Sequence, residues 1–267
     1  MVMNSAITAQ TLKQMKAQGE RFSCLTAYDA SFAQRIAEAG IEVQLVGDSL
    51  GMVIQGEEST LPVSVDDMIY HCRSVRRASG HSLVMVDMPF MSCTTPVQAL
   101  ENAGRLMKEG GAHMVKLEGG QSMLEAVALL SAHGVPVCSH LGLLPQSVHK
   151  LGGYKVQGRS DESANAILAD AKALEAAGAD ILLLECVPAS LAKKITAAVA
   201  IPVIGIGAGV DCDAQVLVVY DMLGITPGKR PKFCKNFLLD ANDVPEALHN
   251  YAQAVKSATF PTEQQSF

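Results

Sequence analysis

What most constrains this chain is a unit that keeps returning: a short apolar run, a polar or glycine-bearing ending, a helical stretch, then a glycine stop. The apolar runs are Phe22–Thr26, Val43–Val46, Leu83–Val86, His113–Leu117, Val135–Ser139, Ile181–Leu184, Pro202–Ile206 and a weaker one, Gln215–Tyr220. Runs of this length, bounded by turn residues, read as buried strands. Helical stretches lie between them. Ser31–Ala39 is stopped by Gly40, Val65–Arg77 is capped by Ser64, and Thr95-Pro96 opens a helix that Gly110-Gly111 closes. Ser122–Ala132 ends at Gly134, Ala164–Ala177 is capped by Asp161 and ends at Gly178, and Pro188 opens a helix to Val199. Polar caps or proline before a helix and glycine after it are the expected punctuation.

Strand and helix in strict alternation favour a parallel sheet, and eight strands favour its closure as a (β/α)8 TIM barrel over an open doubly wound sheet. Such a barrel takes about 250 residues; this chain has 267. A leading helix carries Ile7, Leu12 and Met15 and closes at Gly19, and a C-terminal helix past Asp240 sets Val244, Leu248, Tyr251 and Val255 on one face. The expectation is a single barrel domain over 1–267, with an N-terminal helix (1–21) and an additional C-terminal helical tail (240–267). That tail is expected to dock on a neighbouring subunit. Two loops stand out by length, Gly51–Pro62 and His140–Arg159; the second has four glycines and the basic side chains Lys150, Lys155 and Arg159. Long loops of that kind are often binding loops.

Composition removes several classes of function. A net charge of -6 offers no basic surface for nucleic acid or anionic lipid, and the absence of tryptophan with 4% aromatics gives no stacking platform. No apolar run approaches the roughly 18 residues of a membrane span, and Met1–Glu20 has no signal-peptide core. The seven cysteines are scattered without a Cys-x-x-Cys pair, which argues for reduced thiols and a cytoplasmic setting.

Five consecutive strands end in chemistry. Val43–Val46 leads to Asp48 and Ser49, Leu83–Val86 to Asp87, and the fourth strand carries Lys116 and Glu118; the fifth ends at His140 and the sixth at Glu185. In a barrel these endings share the C-terminal rim, where active sites lie. Three carboxylates on one rim repel unless a cation or protons compensate. All-oxygen donors suit Mg²⁺, which takes one or two carboxylates plus water and substrate oxygens. Capping of loops is the bland alternative for each acid taken alone. Lys116 faces the same side of its strand as Glu118 and could bind a carboxylate, steady an enolate, form a Schiff base, or simply pair with the acids. Glu185, after Ile-Leu-Leu-Leu, is placed as a general base or as a helix cap; His140 could donate to a substrate oxygen or be a hydrogen-bonded core residue. Gly205–Gly209 is a tight turn rather than a dinucleotide fingerprint, which belongs after a first strand.

Several blocks, in order, resemble the 3-methyl-2-oxobutanoate (ketopantoate) hydroxymethyltransferase family. They are Val46-Gly47-Asp48-Ser49-Leu50-Gly51-Met52, Ser59-Thr60-Leu61-Pro62-Val63, Val115-Lys116-Leu117-Glu118-Gly119-Gly120, Gly152-Gly153-Tyr154-Lys155-Val156-Gln157-Gly158-Arg159, Leu184-Glu185-Cys186-Val187-Pro188 and Gly205-Ile206-Gly207-Ala208-Gly209. The likeness runs from about Phe22 to Phe237. It implies a barrel of the phosphoenolpyruvate/pyruvate superfamily, cytoplasmic and homodecameric, acting in pantothenate biosynthesis. By resemblance, Asp48 and Asp87 bind one Mg²⁺ per subunit, with Glu118 completing the site directly or through water. Ser49 and Lys116 hold the carboxylate of 3-methyl-2-oxobutanoate, and Glu185 is the base; His140 stands as a substrate-binding candidate on its place at the strand end alone. The co-substrate is 5,10-methylenetetrahydrofolate. Two rivals stand beside this: a metal-dependent C–C lyase acting on a 2-oxo acid, and a non-catalytic binding barrel. No Lys-Lys-Cys-Gly-His-like stretch of the lyases occurs, and a binding barrel has no need of a base beside a metal set.

Overall fold

A computed structural model describes residues 6–228 and 230–267. Eight parallel strands close on one another in chain order: β1 Phe22–Thr26, β2 Val43–Val46, β3 Leu83–Asp87, β4 Met114–Glu118, β5 Val137–Gly142, β6 Ile181–Glu185, β7 Val203–Ile206 and β8 Ala214–Leu217. The helices are α1 Ala9–Gln18, α2 Ala30–Glu38, α3 Leu50–Val53, α4 Val65–Arg76, α5 Pro96–Lys108, α6 Leu124–Ala132, α7 Val148–Leu151, α8 Asp161–Ala176, α9 Ala189–Ala198, α10 Val219–Met222 and α11 Val244–Lys256. The expected barrel is present. The N-terminal reading falls partly on residues 1–5, which lie outside the described residues. None of the described helices is long and apolar enough to cross a membrane, and all seven cysteines are free thiols.

Side-chain alternation splits the core in two. One face of the strands packs outward against the helices; the other fills the barrel with Phe22, Cys24, Leu45, Met85, Met114 and Leu183 among others. The N-terminal end is plugged by α1, whose Leu12 is fully buried within the interior cluster. Lys13 and Lys16 of this helix reach Asp180 at 2.7 Å and Asp213 at 2.9 Å. Those acids also accept the backbone N–H groups of Val137 and Val203 at the starts of β5 and β7. With the bottom closed by apolar packing, a polar cavity can open only at the C-terminal rim.

Four expectations change. The fifth strand starts two residues late, because Pro136 has no N–H to give the ladder, and it runs on through His140 to Gly142. The eighth ends at Leu217: the Thr26 side chain takes the Val219 N–H at 2.9 Å, and the chain turns helical through Tyr220. Ser160, not Asp161, caps α8. Finally, the apolar face of α11 is taken up within this chain. Its Leu248, Tyr251 and Val255 are buried on this chain's own barrel, and the Tyr251 hydroxyl lies 2.8 Å from the Cys24 carbonyl and 2.9 Å from that of Gln215. It fills the place of an outer helix beside β8 and β1.

Candidate active site

Strand register sets the site. Asp87 is level with Lys116, Glu118 with His140, and Gly142 with Glu185 across successive pairs. Parallel neighbours at one level point the same way, so these side chains share the barrel mouth above the apolar layers. Lys116 Nζ lies 2.8 Å from Asp87 Oδ1 and 3.3 Å from His140 Nδ1. His140 continues the line, with Nδ1 3.4 Å from Glu118 Oε1 and Nε2 3.4 Å from Glu185 Oε2. Asp87 Oδ2 accepts the Asp48 backbone N–H at 3.0 Å, joining β2 to the same network. The Ser49 hydroxyl sits 2.8 Å from that of Tyr28. All seven residues singled out in the sequence thus stand at one end of the barrel.

Two glycines make the close approaches possible. A Cβ on Gly47 would stand 2.7 Å from Ser49 Oγ, and one on Gly142, at φ +95°, would stand 2.2 Å from the Glu185 carbonyl oxygen. After Glu185 the backbone enters the left-handed region at Cys186, with φ 47°, a conformation that β-carbon sterics disfavour. Hydrogen bonds hold it there: Cys186 N–H donates to the Ile206 carbonyl at 2.8 Å, and its own carbonyl accepts from Gln157 N–H at 2.9 Å.

The charges are interdependent. Burial, then the neighbouring Asp87 and Glu118, push the Asp48 carboxyl well above the usual carboxylate range. Burial works against the Lys116 ammonium, but Asp87, Glu118 and Asp48 outweigh it and keep the group protonated. Burial would likewise raise Glu118; hydrogen bonding and charge from His140, with Lys116 behind, reverse that and hold it low. For His140, burial and Lys116 disfavour the cation, and the nearby carboxylates of Glu118 and Glu185 more than restore it.

Two details bear on a cation. The Asp87 Oδ1 atom, although 2.8 Å from Lys116 Nζ, is not aligned with a donor and stays buried without a hydrogen bond. Among the described residues no three His, Cys, Asp or Glu side chains converge to cage a metal by themselves; Glu118 turns toward His140 and the Gln146 N–H instead, at 3.4 and 3.1 Å. Asp48 and Asp87 therefore offer a two-carboxylate donor set. That fits Mg²⁺, which keeps water and substrate oxygens in its shell, and an added positive charge would ease the crowding that raises Asp48.

Sequence reading missed Gln146. From the loop after β5 its side-chain amide donates to Asp48 Oδ2 at 2.8 Å and to the Met88 carbonyl at 3.0 Å, so one residue ties the ends of β2, β3 and β4. Proline followed by a polar residue inside the long loop was the only available signal. Tyr28, two residues past β1 and beside Ser49, was missed as well. Lys150, Lys155 and Arg159 stand exposed to solvent.

The chain matches the family model described as ketopantoate hydroxymethyltransferase over residues 6–263. It is 60% identical to the 3-methyl-2-oxobutanoate hydroxymethyltransferase of Nitrosococcus oceani, covering 98% of this chain and 99% of that one. It is 58% identical to that of Marinobacter nauticus, with the same coverage. Among solved structures, 2,3-dimethylmalate lyase, a PEP mutase/isocitrate lyase superfamily member, aligns with TM-score 0.58 at 14% identity over 83% of this chain and 81% of the other. Phosphonopyruvate hydrolase in complex with oxalate and Mg²⁺ aligns with TM-score 0.61 at 12% identity, over 79% and 80%. These two likenesses concern the fold.

Proposed function

The chain belongs to the ketopantoate hydroxymethyltransferase family, and from that premise we propose that it moves a hydroxymethyl group from 5,10-methylenetetrahydrofolate to 3-methyl-2-oxobutanoate, yielding 2-dehydropantoate and tetrahydrofolate. Membership in a family of transferases sets aside the binding-barrel and lyase rivals. The observation that carries the reading is the line of polar contacts, none longer than 3.4 Å, from Asp87 through Lys116 and His140 to Glu185.

In this reading Asp48 and Asp87 would hold one Mg²⁺ per subunit, with Glu118 reaching it through water. When bound there, the ion would polarise the ketone and favour negative charge on its oxygen. Lys116 and Ser49 hold the substrate carboxylate, Ser49 with its hydroxyl steadied by Tyr28. Glu185, aimed by the strained turn at Cys186, takes the proton from C3. His140 lies between Glu118 and Glu185; it orients the base and can donate to a substrate oxygen. The enolate C3 then bonds the methylene carbon as that carbon's two bonds to folate nitrogens break; water supplies the hydroxyl, and its other proton, with the one taken from C3, goes to those nitrogens to give tetrahydrofolate. Seven free thiols fit a reducing compartment, which supports the cytoplasm as the site of action, and the family resemblance carries the expectation of a homodecamer.

The decisive experiment is deuterium exchange at C3 of 3-methyl-2-oxobutanoate in D₂O, followed by NMR with no folate present. Exchange is expected with Mg²⁺, to stop in EDTA, and to slow by about 10²–10⁴-fold in Glu185→Gln, the usual contribution of a general base. Exchange indifferent to both changes would remove Glu185 and the metal from their roles.

A further inference from the structure

A cavity of about 150 Å³ opens beside the acidic cluster, and the reading above gives it no occupant. Phe90, Met91 and Thr94, between β3 and α5, line one part of it and Met123 another; Glu118 and Gln146 also line it and belong equally to the polar network of the barrel mouth. A ligand there would meet the 2-oxo acid across those two side chains.

The loop that shapes this cavity is held in place. Met91 adopts φ 62°, a left-handed conformation that costs a non-glycine residue about 1–3 kcal/mol and persists only where its surroundings over-determine it. Two side chains of α5 do so: Gln98 Nε2 donates to the Met91 carbonyl at 3.2 Å, and Asn102 Nδ2 to that of Ser92 at 2.7 Å. So fixed, the loop leaves Phe90 and Met91 42% and 61% exposed at the edge of the site, a poor use of large apolar groups unless something covers them.

The lining describes its ligand. Two thioethers and a phenyl ring suit the faces and edges of a flat ring. Both side-chain N–H donors of Gln146 point to Asp48 and Met88, leaving its carbonyl oxygen as the group to offer, next to the Glu118 carboxylate. A pair of acceptors selects a ring edge rich in N–H groups. The residues lining the cavity include no lysine or arginine, so a phosphate or carboxylate would be a poor fit.

We propose that this cavity binds the reduced pteridine ring of the one-carbon donor, with Glu118 and Gln146 on the shared edge past which its methylene group comes into contact with C3 of the 2-oxo acid. The assignment rests on the transferase reading and leaves the donor's acidic tail to the basic loop.

The test uses Met91→Gly, which removes the side chain while suiting the backbone at φ 62°, and Met123→Ala. Tetrahydrofolate binding is measured by calorimetry, the KM for 5,10-methylenetetrahydrofolate by turnover, and C3 exchange without folate. Each variant is expected to weaken tetrahydrofolate and raise that KM roughly tenfold, the upper scale of a thioether–ring contact, with exchange preserved. Wild-type affinity in both variants would overturn the assignment, and so would exchange lost together with affinity, since the wall would then serve the 2-oxo acid. A wild-type enzyme that exchanges C3 but does not turn over methylenetetrahydrofolate would sink the donor reading itself, whatever the variants do.

Discussion

Lys116 keeps only 4% of its side chain exposed, between Asp87 and His140, where an ammonium survives because carboxylates surround it. Removing it would leave Asp87, equally buried, facing Asp48 with no compensating charge. Breaking one side of a buried pair costs about 3–5 kcal/mol, so Lys116→Ala is expected to lose that much stability in urea unfolding with EDTA present, and to recover part of it with Mg²⁺. A loss under about 1 kcal/mol, the scale of an exposed pair, would mean that the ion pair is not what balances the cluster. Residues like Lys116 were legible because a charge that interrupts or ends an apolar strand is an anomaly calling for a partner. Gln146 was not legible: an amide carries no charge, and nothing in a loop sequence says that it will reach three strand ends.

Among the elements, the segment from Gly142 to Ser160 separates what a pattern reveals from what it hides. Glycine content marked it as a loop, but the short helix Val148–Leu151 within it is too brief to show a period. Its path is set by tertiary contacts: Gln157 N–H donates to Cys186, and the Tyr154 hydroxyl reaches Met52 Sδ at 3.8 Å. The loop is thus pinned just past the end of β6 while Lys155 and Arg159 face solvent. Their proposed role is to hold the anionic tail of the folate. Exposed charge pairs are worth up to about 1 kcal/mol each, so the double variant Lys155→Ala/Arg159→Ala is expected to raise folate KM by roughly five- to thirtyfold, with C3 exchange unchanged and the effect shrinking in high salt. A folate KM that does not move would end that role. Strand boundaries failed where hydrogen bonding decided them, at Pro136, which has no N–H to give, and at the Thr26 hydroxyl, which takes the Val219 N–H. They held where apolar runs were bounded by turns.

At the scale of the whole molecule, α1 plugs one end of the barrel and α11 covers its outer wall, and the amphipathic pattern of α11 could not say against what it would pack. An apolar stripe on α11 is equally consistent with a neighbouring subunit and with the chain's own barrel. The structure uses it in cis, over β1 and β8, with Lys256 fastening its end to Glu42 at 2.5 Å. Glu42 in turn accepts the Ser23 N–H and hydroxyl, each at 2.9 Å, at the start of β1. Burying Leu248, Tyr251 and Val255 contributes about 1.5–3 kcal/mol apiece, against a total stability that for most proteins is only about 5–15 kcal/mol. Losing the helix should therefore remove the fold itself rather than an assembly contact. A chain ended at Asn242, and the full chain with Leu248→Asp, are both expected to lose cooperative unfolding and to aggregate, as judged by circular dichroism and sedimentation. If either gave a soluble protein with native circular dichroism but a smaller oligomer, the helix would instead be an intersubunit element, and the outer wall of the barrel beside β8 would have to be stable without it.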